Sequence, residues 1–309
     1  MTLILAEPFK SLWAGKDAFA EVEALQGQVY RELEGRRTLR TEVAGRGYFV
    51  KIHRGVGWGE IAKNLLSAKL PVLGAAQEWI AVQRLHDAGV PTMTTVAYGS
   101  RGANPARQHS FIITEELAPT VSLEDFSLDW LQSPPAPTLK RALIAEVAKM
   151  TGTLHRAGIN HRDCYICHFL LHTDRPVTSG DFRLSLIDLH RAQSRRAVPR
   201  RWRNKDLAGL YFSALNIGLT SRDKLRFLKG YFAAIKSPAI NPQAMPNPAA
   251  TAAKATDQST AGQPSQASQQ RPLRQILRDE APLLAWLERK ADKLQARYAR
   301  KYAPGAGDE

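Results

Sequence analysis

Apolar positions along the chain change period several times, and each change marks an element. Residues 28 to 53 alternate apolar and polar side chains. QVYRELEGRRTLRTEV reads as two strands around a turn at Gly35, and GRGYFVKIHR places Gly45 and Gly47 before a β-rich run ending in Lys51. GEIAKNLLSAKL then predicts a helix stopped by Pro71. GAAQEWIAVQRLHDAG predicts another, with Trp79, Val82 and Leu85 apolar and Gly89 at its end. VPTMTTVAYG and HSFIITEEL read as two more strands, separated by the loop SRGANPARQ. To this point the pattern describes a small sheet with one main packing helix.

After PTVSLEDF the periodicity becomes helical. TLKRALIAEVAKMTGTLHRAG is an amphipathic helix with Leu143, Val147, Met150 and Leu154 on one face and Gly158 at its close. The loop HRDCYICHFLL follows, then an apolar strand in FRLSLIDLHRA leading to Asp188, then helices in DLAGLYFSALNIG and SRDKLRFLKGYFAAI. Residues 237–270 lose all periodicity: Pro, Ala, Ser, Thr and Gln dominate, and only Lys254 and Asp257 are charged. A segment with so little apolar surface is expected to be a disordered linker. Residues 271–303 return to a basic amphipathic pattern, read as one helix or as two divided at Pro282. The pattern divides the chain into a β-rich unit at 1–117, a helical unit at 118–236, the linker, and the C-terminal helix.

Composition narrows the function. At 309 residues with 44% hydrophobic residues the chain can bury a sizeable core, and no run of 18 apolar residues is present to span a membrane. The opening MTLILAEPFK lacks a basic stretch before its short apolar run, so no secretory signal is expected, and two cysteines fit a reducing cytoplasm. A formal net charge of +14 calls for an anionic partner: nucleic acid, anionic lipid, a phosphorylated glycolipid or an acidic protein. Part of that charge is concentrated in RAQSRRAVPRRWRNK, residues 191 to 205, which holds seven Lys or Arg and no acid.

The stretch HRDCYICHFLL admits several chemistries. C-x-x-C-H attaches c-type haem, but in exported proteins. A thioredoxin-like pair belongs at a helix start after a strand, whereas here a helix precedes it. His161, Cys164, Cys167 and His168 are all zinc-ligand types, yet no second cluster accompanies them. The bland reading makes both thiols small buried hydrophobes. A phosphotransferase reading places demands on the rest of the chain: a strand Lys for phosphates, a helix carboxylate to hold it, a loop Asp, and a later Asp for metal. Lys51, Glu78, Asp163 and Asp188 meet these in order and on the right elements. The stretch is read as a catalytic loop.

GRRTLR, YFVKIHRGVGWGEIAKNLL, PVLGAAQEW, GANPARQHSFIITEEL, HRDCYICHFLL, LIDLHRAQ and RWRNKDLAGLYFSALNIGL together resemble the lipopolysaccharide core heptose(I) kinases, relatives of the protein kinases. The resemblance runs from residue 1 to about 235 and excludes 237–270. It implies an α+β, bilobal, protein-kinase-like fold and an enzyme that uses ATP and Mg2+ to phosphorylate a heptose of the lipopolysaccharide inner core. On this resemblance Asp163 would take or orient the proton of the attacking hydroxyl, and Asp188 would bind magnesium. His168 stands where protein kinases have a metal-binding Asn, and imidazole is a poorer ligand for a hard cation. Lys51 would hold the phosphates, and Glu78 would hold Lys51. The backbone of the hinge Thr114 to Leu117, through Glu115 and Leu117, contacts adenine. EGRRT has one glycine and two arginines, Arg36 and Arg37, where protein kinases have a glycine-rich cover.

The resemblance also gives the charge a role. Arg195, Arg196, Arg200 and Arg201 follow Asp188, on the acceptor side, where an anionic lipid-linked acceptor, the cytoplasmic face of the inner membrane or a small acidic protein would sit. A protein kinase on the same fold is the alternative, weakened by the lack of an A-P-E element. A nucleic-acid-binding protein is the more distant one, because it leaves Lys51, Asp163 and Asp188 unexplained.

Overall fold

Alternation across residues 28 to 53 becomes three antiparallel strands, with Gly35 at the first turn as expected. The computed structural model describes residues 1–33, 35–55, 57–66, 74–237 and 273–301. The first part of the chain forms β1 (Thr2–Leu5), α1 (Phe9–Leu12), α2 (Ala18–Ala24), β2 (Gln28–Leu33), β3 (Arg36–Val43), β4 (Arg46–His53), α3 (Gly57–Leu66), α4 (Ala76–Asp87), β5 (Thr95–Arg101) and β6 (His109–Glu115). The rest forms β7 (Thr120–Ser122), α5 (Leu123–Phe126), α6 (Pro137–Arg156), β8 (Ile159–Asn160), β9 (Phe169–His172), β10 (Leu184–Leu186), β11 (Gln193–Ser194), α7 (Arg200–Ser213), α8 (Ser221–Lys236) and α9 (Leu273–Lys301). The linker expected at 237–270 lies, beyond Ser237, outside the described residues, as does the end of the helix expected to stop at Pro71.

The N-terminal lobe is a six-stranded antiparallel sheet in the order β1-β5-β6-β4-β3-β2. Its two faces do different work. Leu39, Tyr48, Val50, Ile52, Phe111 and Ile113 pack under Phe9 and Trp13 of the α1 region and Phe19 and Val22 of α2. Periodicity does not reveal this two-helix cover, because helices this short carry too few periods to register. Asp17 caps α2 by accepting from the Phe19 N–H at 2.9 Å. The opposite face looks into the cleft between the lobes and carries Lys51.

α4 bridges the two halves. Trp79 stacks on Tyr98 of the sheet, with ring centroids 4.6 Å apart. Its Ala81, Val82 and Leu85 are instead fully buried in the C-terminal lobe core, with Leu154, Phe169, Leu186 and Leu189. In that lobe α6 starts with Pro137 in its first turn and buries the apolar stripe expected of it. Gly152 lets α8 approach: a Cβ there would lie 2.7 Å from the Tyr231 carbonyl oxygen. α7 begins at Arg200, six residues before the helix expected from Asp206, because Pro199 stops any earlier start and RRWR continues directly into DLAGL. α9 passes through Pro282 unbroken, as a single helix rather than two. Leu283 and Leu287, next to that proline, are buried against α7 and α8, and this packing holds the helix together across the lost hydrogen bond.

Candidate active site

Three carboxylates, one lysine and three histidines converge where β4, α4 and two loops of the C-terminal lobe meet. Lys51 reaches across from β4: its Nζ lies 2.7 Å from Glu78 Oε1 and 3.4 Å from Asp188 Oδ1. Burial on its own would lower the Lys51 ammonium, but Glu78 and Asp188 beside it raise it above its ordinary range. Glu78 is 1% exposed on the first turn of α4, and its Oε2 is buried without a hydrogen bond among the described residues.

Asp188 follows β10 in a left-handed conformation, φ 61°, which turns its carboxylate back into the cleft. Burial would raise its pKa. The hydrogen bond from His190 Nδ1 at 2.7 Å, with Lys51 and His168 nearby, overrides this and holds the group well below the usual carboxylate range. His168 faces the other oxygen, Nε2 to Oδ2 3.6 Å. Its Nδ1 lies 2.7 Å from the Asp163 backbone carbonyl, and a carbonyl only accepts, so Nδ1 carries the proton. Nε2, the other ring nitrogen, is directed at Asp188.

Asp163 lies beside this group on the loop between β8 and the 3₁₀ turn Ile166–His168. Arg191 Nη1 donates to both of its oxygens, at 2.7 and 3.0 Å. The loop is held from below by Asp206 of α7, which is 1% exposed. Asp206 accepts from the backbone N–H groups of His161, 2.7 Å, and Arg162, 2.9 Å. It also accepts from His155 Nε2 at 3.2 Å. These contacts secure Arg162 at φ 74°, a left-handed conformation unusual for a side chain of that size. His161 Nε2 donates to the Ile187 carbonyl at 3.0 Å and so ties this loop to the one bearing Asp188.

The structure therefore brings Lys51, Glu78, Asp163, His168 and Asp188 together. Glu115 and Leu117 lie apart from them, at the end of β6 on the connection between lobes. Leu117 accepts from Thr120 Oγ1 through its carbonyl, and its own N–H makes no hydrogen bond among the described residues. Sequence reasoning missed Asp206, Arg191 and His190 as participants. For Asp206 a signal existed: it falls in register with Trp202 and Leu210 on a helical stripe, where an acid must be buried. Arg191 and His190 offered none, since a basic residue after Asp188 looks like any surface charge.

The two cysteines behave as the bland reading held. Both are free, and Cys164 is 1% exposed within the core. Burial pushes the Cys164 thiol well up and Cys167 to about 11, so neither is a ready thiolate. Among the described residues no group of three or more His, Cys, Asp and Glu side chains is arranged to hold a metal ion.

The basic run divides. Arg195 is a structural residue: it donates to Asn160 Oδ1 and to Gln193 Oε1 at 2.6 Å, and its carbonyl accepts from Arg84. Arg196, Arg200, Arg201 and Lys205 are exposed, with Arg201 and Lys205 at 5.1 and 4.3 Å from the Trp202 ring.

Comparison with known proteins agrees with this geometry. The chain is 67% identical over 300 residues, covering 97% of it and 98% of the relative, to the lipopolysaccharide core heptose(I) kinase WaaP of Pseudomonas aeruginosa. It is 52% identical over 297 residues, covering 96% and 98%, to the protein of that name from Escherichia coli. A solved structure of WaaP in complex with acyl carrier protein superposes with a TM-score of 0.75 at 62% identity, covering 95% of this chain and 99% of that one. Residues 20–231 match the lipopolysaccharide kinase (Kdo/WaaP) family, and the chain belongs to that family.

Proposed function

We propose that this protein is a heptose(I) kinase that transfers the γ-phosphoryl group of ATP to a hydroxyl of the lipopolysaccharide inner core. Identity of 67% across 97% of the chain to a kinase of that name carries the reading, and the cleft supplies its chemistry. The acceptor oxygen forms a bond to the γ-phosphorus, the bond to the β–γ bridging oxygen breaks, and ADP leaves. Asp163 orients the attacking hydroxyl and takes its proton, with Arg191 fixing the plane of the carboxylate. Lys51, held by Glu78, binds phosphate oxygens, and the open N–H of Leu117 with the Glu115 carbonyl meets adenine.

Asp188 fits a magnesium ion, being an ionised carboxylate on the cleft wall, and the nucleotide's phosphates would supply further oxygens. The bound ion would neutralise charge developing on the phosphoryl oxygens. His168 Nε2 is placed to join it, though nitrogen is the weaker ligand for this cation.

The exposed Arg196, Arg200, Arg201 and Lys205 form the surface for anionic partners: the lipid-linked acceptor and the cytoplasmic face of the inner membrane. Acyl carrier protein, found with the relative of known structure, is the proposed acidic protein partner. No helix among the described residues is long and apolar enough to cross a membrane, so contact at a surface is the mode proposed. The test is transfer of labelled phosphate from ATP to dephosphorylated inner-core lipopolysaccharide, with Asp163→Ala as control. Transfer to protein substrates but not to the heptose would replace this reading with that of a protein kinase.

A further inference from the structure

The arginines of β3 have unlike surroundings. Arg37 is engaged: its Nε lies 3.2 Å from Glu32 Oε2, and its Nη1 donates to the Glu23 carbonyl at 3.2 Å. Arg40 is engaged too, donating to both oxygens of Glu116 at 2.8 and 2.7 Å. Arg36 forms no ion pair among the described residues, and its Nε is buried without a hydrogen bond.

Strand register sets where Arg36 points. It stands opposite His53, and Thr38 stands opposite Lys51, so all four share the cleft face of the sheet. The carboxylates that act on its charge are Glu78 and Asp188, the same two that flank Lys51. Burial lowers the guanidinium from its ordinary value, with these carboxylates opposing. His53 Nε2 is a second buried nitrogen without a partner. Burial first, then the charges of Arg36, Lys51 and His190, hold that imidazole at about 3, so it is neutral. The wall above the Lys51–Asp188 pair is thus a cationic surface with an unused donor.

We propose that Arg36 is a phosphate clamp, binding β- and γ-phosphate oxygens of the nucleotide from the same face of the sheet as Lys51. It takes the place of a glycine-rich cover, of which EGRRT keeps a single glycine. This inference rests on the nucleotide-binding reading above and deepens it. A planar guanidinium matches phosphate with two parallel N–H groups, which lysine cannot do. A half-buried cation with no carboxylate in hydrogen-bond contact destabilises the free protein, and an arriving polyphosphate offsets that cost.

The experiment measures binding of ATP, ADP and adenosine to the full-length native protein, Arg36→Gln and Arg37→Gln, with the thermal midpoint of each in the absence of nucleotide. Arg36→Gln should bind ATP and ADP about tenfold to a hundredfold more weakly, the worth of one charge-assisted contact. Its adenosine affinity should be unchanged, and its midpoint without nucleotide equal to or above native. Arg37→Gln should bind all three ligands as native does. A lowered midpoint for Arg36→Gln, or equal weakening for adenosine and ATP, would show a structural role such as pairing with Glu78 Oε2 and overturn the clamp. So would native ATP affinity in Arg36→Gln. If the Gln variant fails to fold, that too marks Arg36 as structural. Failure of the native protein itself to bind ATP would instead sink the nucleotide reading, and the clamp with it.

Discussion

Asp206→Asn isolates the support of the catalytic loop from its chemistry. The native carboxylate accepts three donors at a site that is 1% exposed: His161 N–H, Arg162 N–H and His155 Nε2. An asparagine keeps one acceptor oxygen and turns an NH2 toward one of those donors. It weakens the contacts it retains, since hydrogen bonds to charged groups contribute about 1.5–3 kcal/mol against about 1 kcal/mol for neutral ones. It also leaves a buried donor facing another donor, at about 1–3 kcal/mol. The sum is about 3–5 kcal/mol, a large share of the roughly 5–15 kcal/mol that holds a domain folded. Arg162 at φ 74° then loses what kept it there, and the neighbouring Asp163 shifts. Displacement by about 1 Å costs on the order of a hundredfold in rate. The assay pairs thermal denaturation with kcat for phosphate transfer, measured well below the variant's midpoint. Asp206→Asn should lose both stability and kcat while KM for ATP stays near native, because Lys51, Glu78 and Asp188 are untouched. Asp163→Ala, by contrast, should lose kcat at native stability. A folded Asp206→Asn enzyme within threefold of native kcat would refute the argument that this carboxylate positions Asp163.

Further outcomes follow from other sites. Lys51→Met strands Glu78 in the interior and should destabilise the protein by about 3–5 kcal/mol, while Lys51→Met with Glu78→Gln recovers at least half of that without recovering ATP affinity; denaturant midpoints decide. Cys164 and Cys167 should resist thiol reagents at neutral pH in the folded state, and Cys164→Ser, Cys167→Ser should keep kcat; rapid labelling of the native protein would contradict the burial. Replacing Arg196, Arg200 and Arg201 by Gln should weaken binding to anionic vesicles by about 3 kcal/mol, roughly a hundredfold at low salt, without changing KM for ATP; equal vesicle binding would return them to a purely solvating role. Glu23, lowered chiefly by the Arg54 hydrogen bond, and Asp223, where burial is outweighed by Thr220 and Lys140, both have depressed folded-state values. Their stabilisation is present above their unfolded values near about 4 and is lost as pH falls through the folded ones. Glu23→Gln with Asp223→Asn should therefore flatten the acid limb of a stability–pH profile.

Much of the site was legible because it sits where a strand ends or a helix begins, and periodicity finds those places. Lys51 follows YFV on an alternating run expected to end there, which the structure extends two residues further to His53, while Glu78 lies in the first turn of α4 and Asp188 follows β10. What escaped was the network that these residues enter. Arg191 and Asp163 are 28 positions apart, and Asp206 and His161 are 45, so only the folded loop brings them together. Arg36 and Arg37 are neighbours of one type, and strand parity alone sends the first into the cleft. The same holds for Arg195 within the basic run, which is drawn out of the surface by Asn160 and Gln193.

The cover that α1 and α2 form over the sheet matters during synthesis on the ribosome. Phe9, Trp13, Phe19 and Val22 find their partners on β3, β4, β5 and β6, and among the described residues β1 pairs only with β5. At roughly 5–20 residues per second, the about 100 residues from Phe9 to Ile113 take on the order of 5–20 s to emerge. For that interval the newly made N-terminus presents three aromatic side chains and an unpaired strand to solvent. The apolar cover is therefore completed only once β6 has been made, and it is complete before the catalytic loop has been translated.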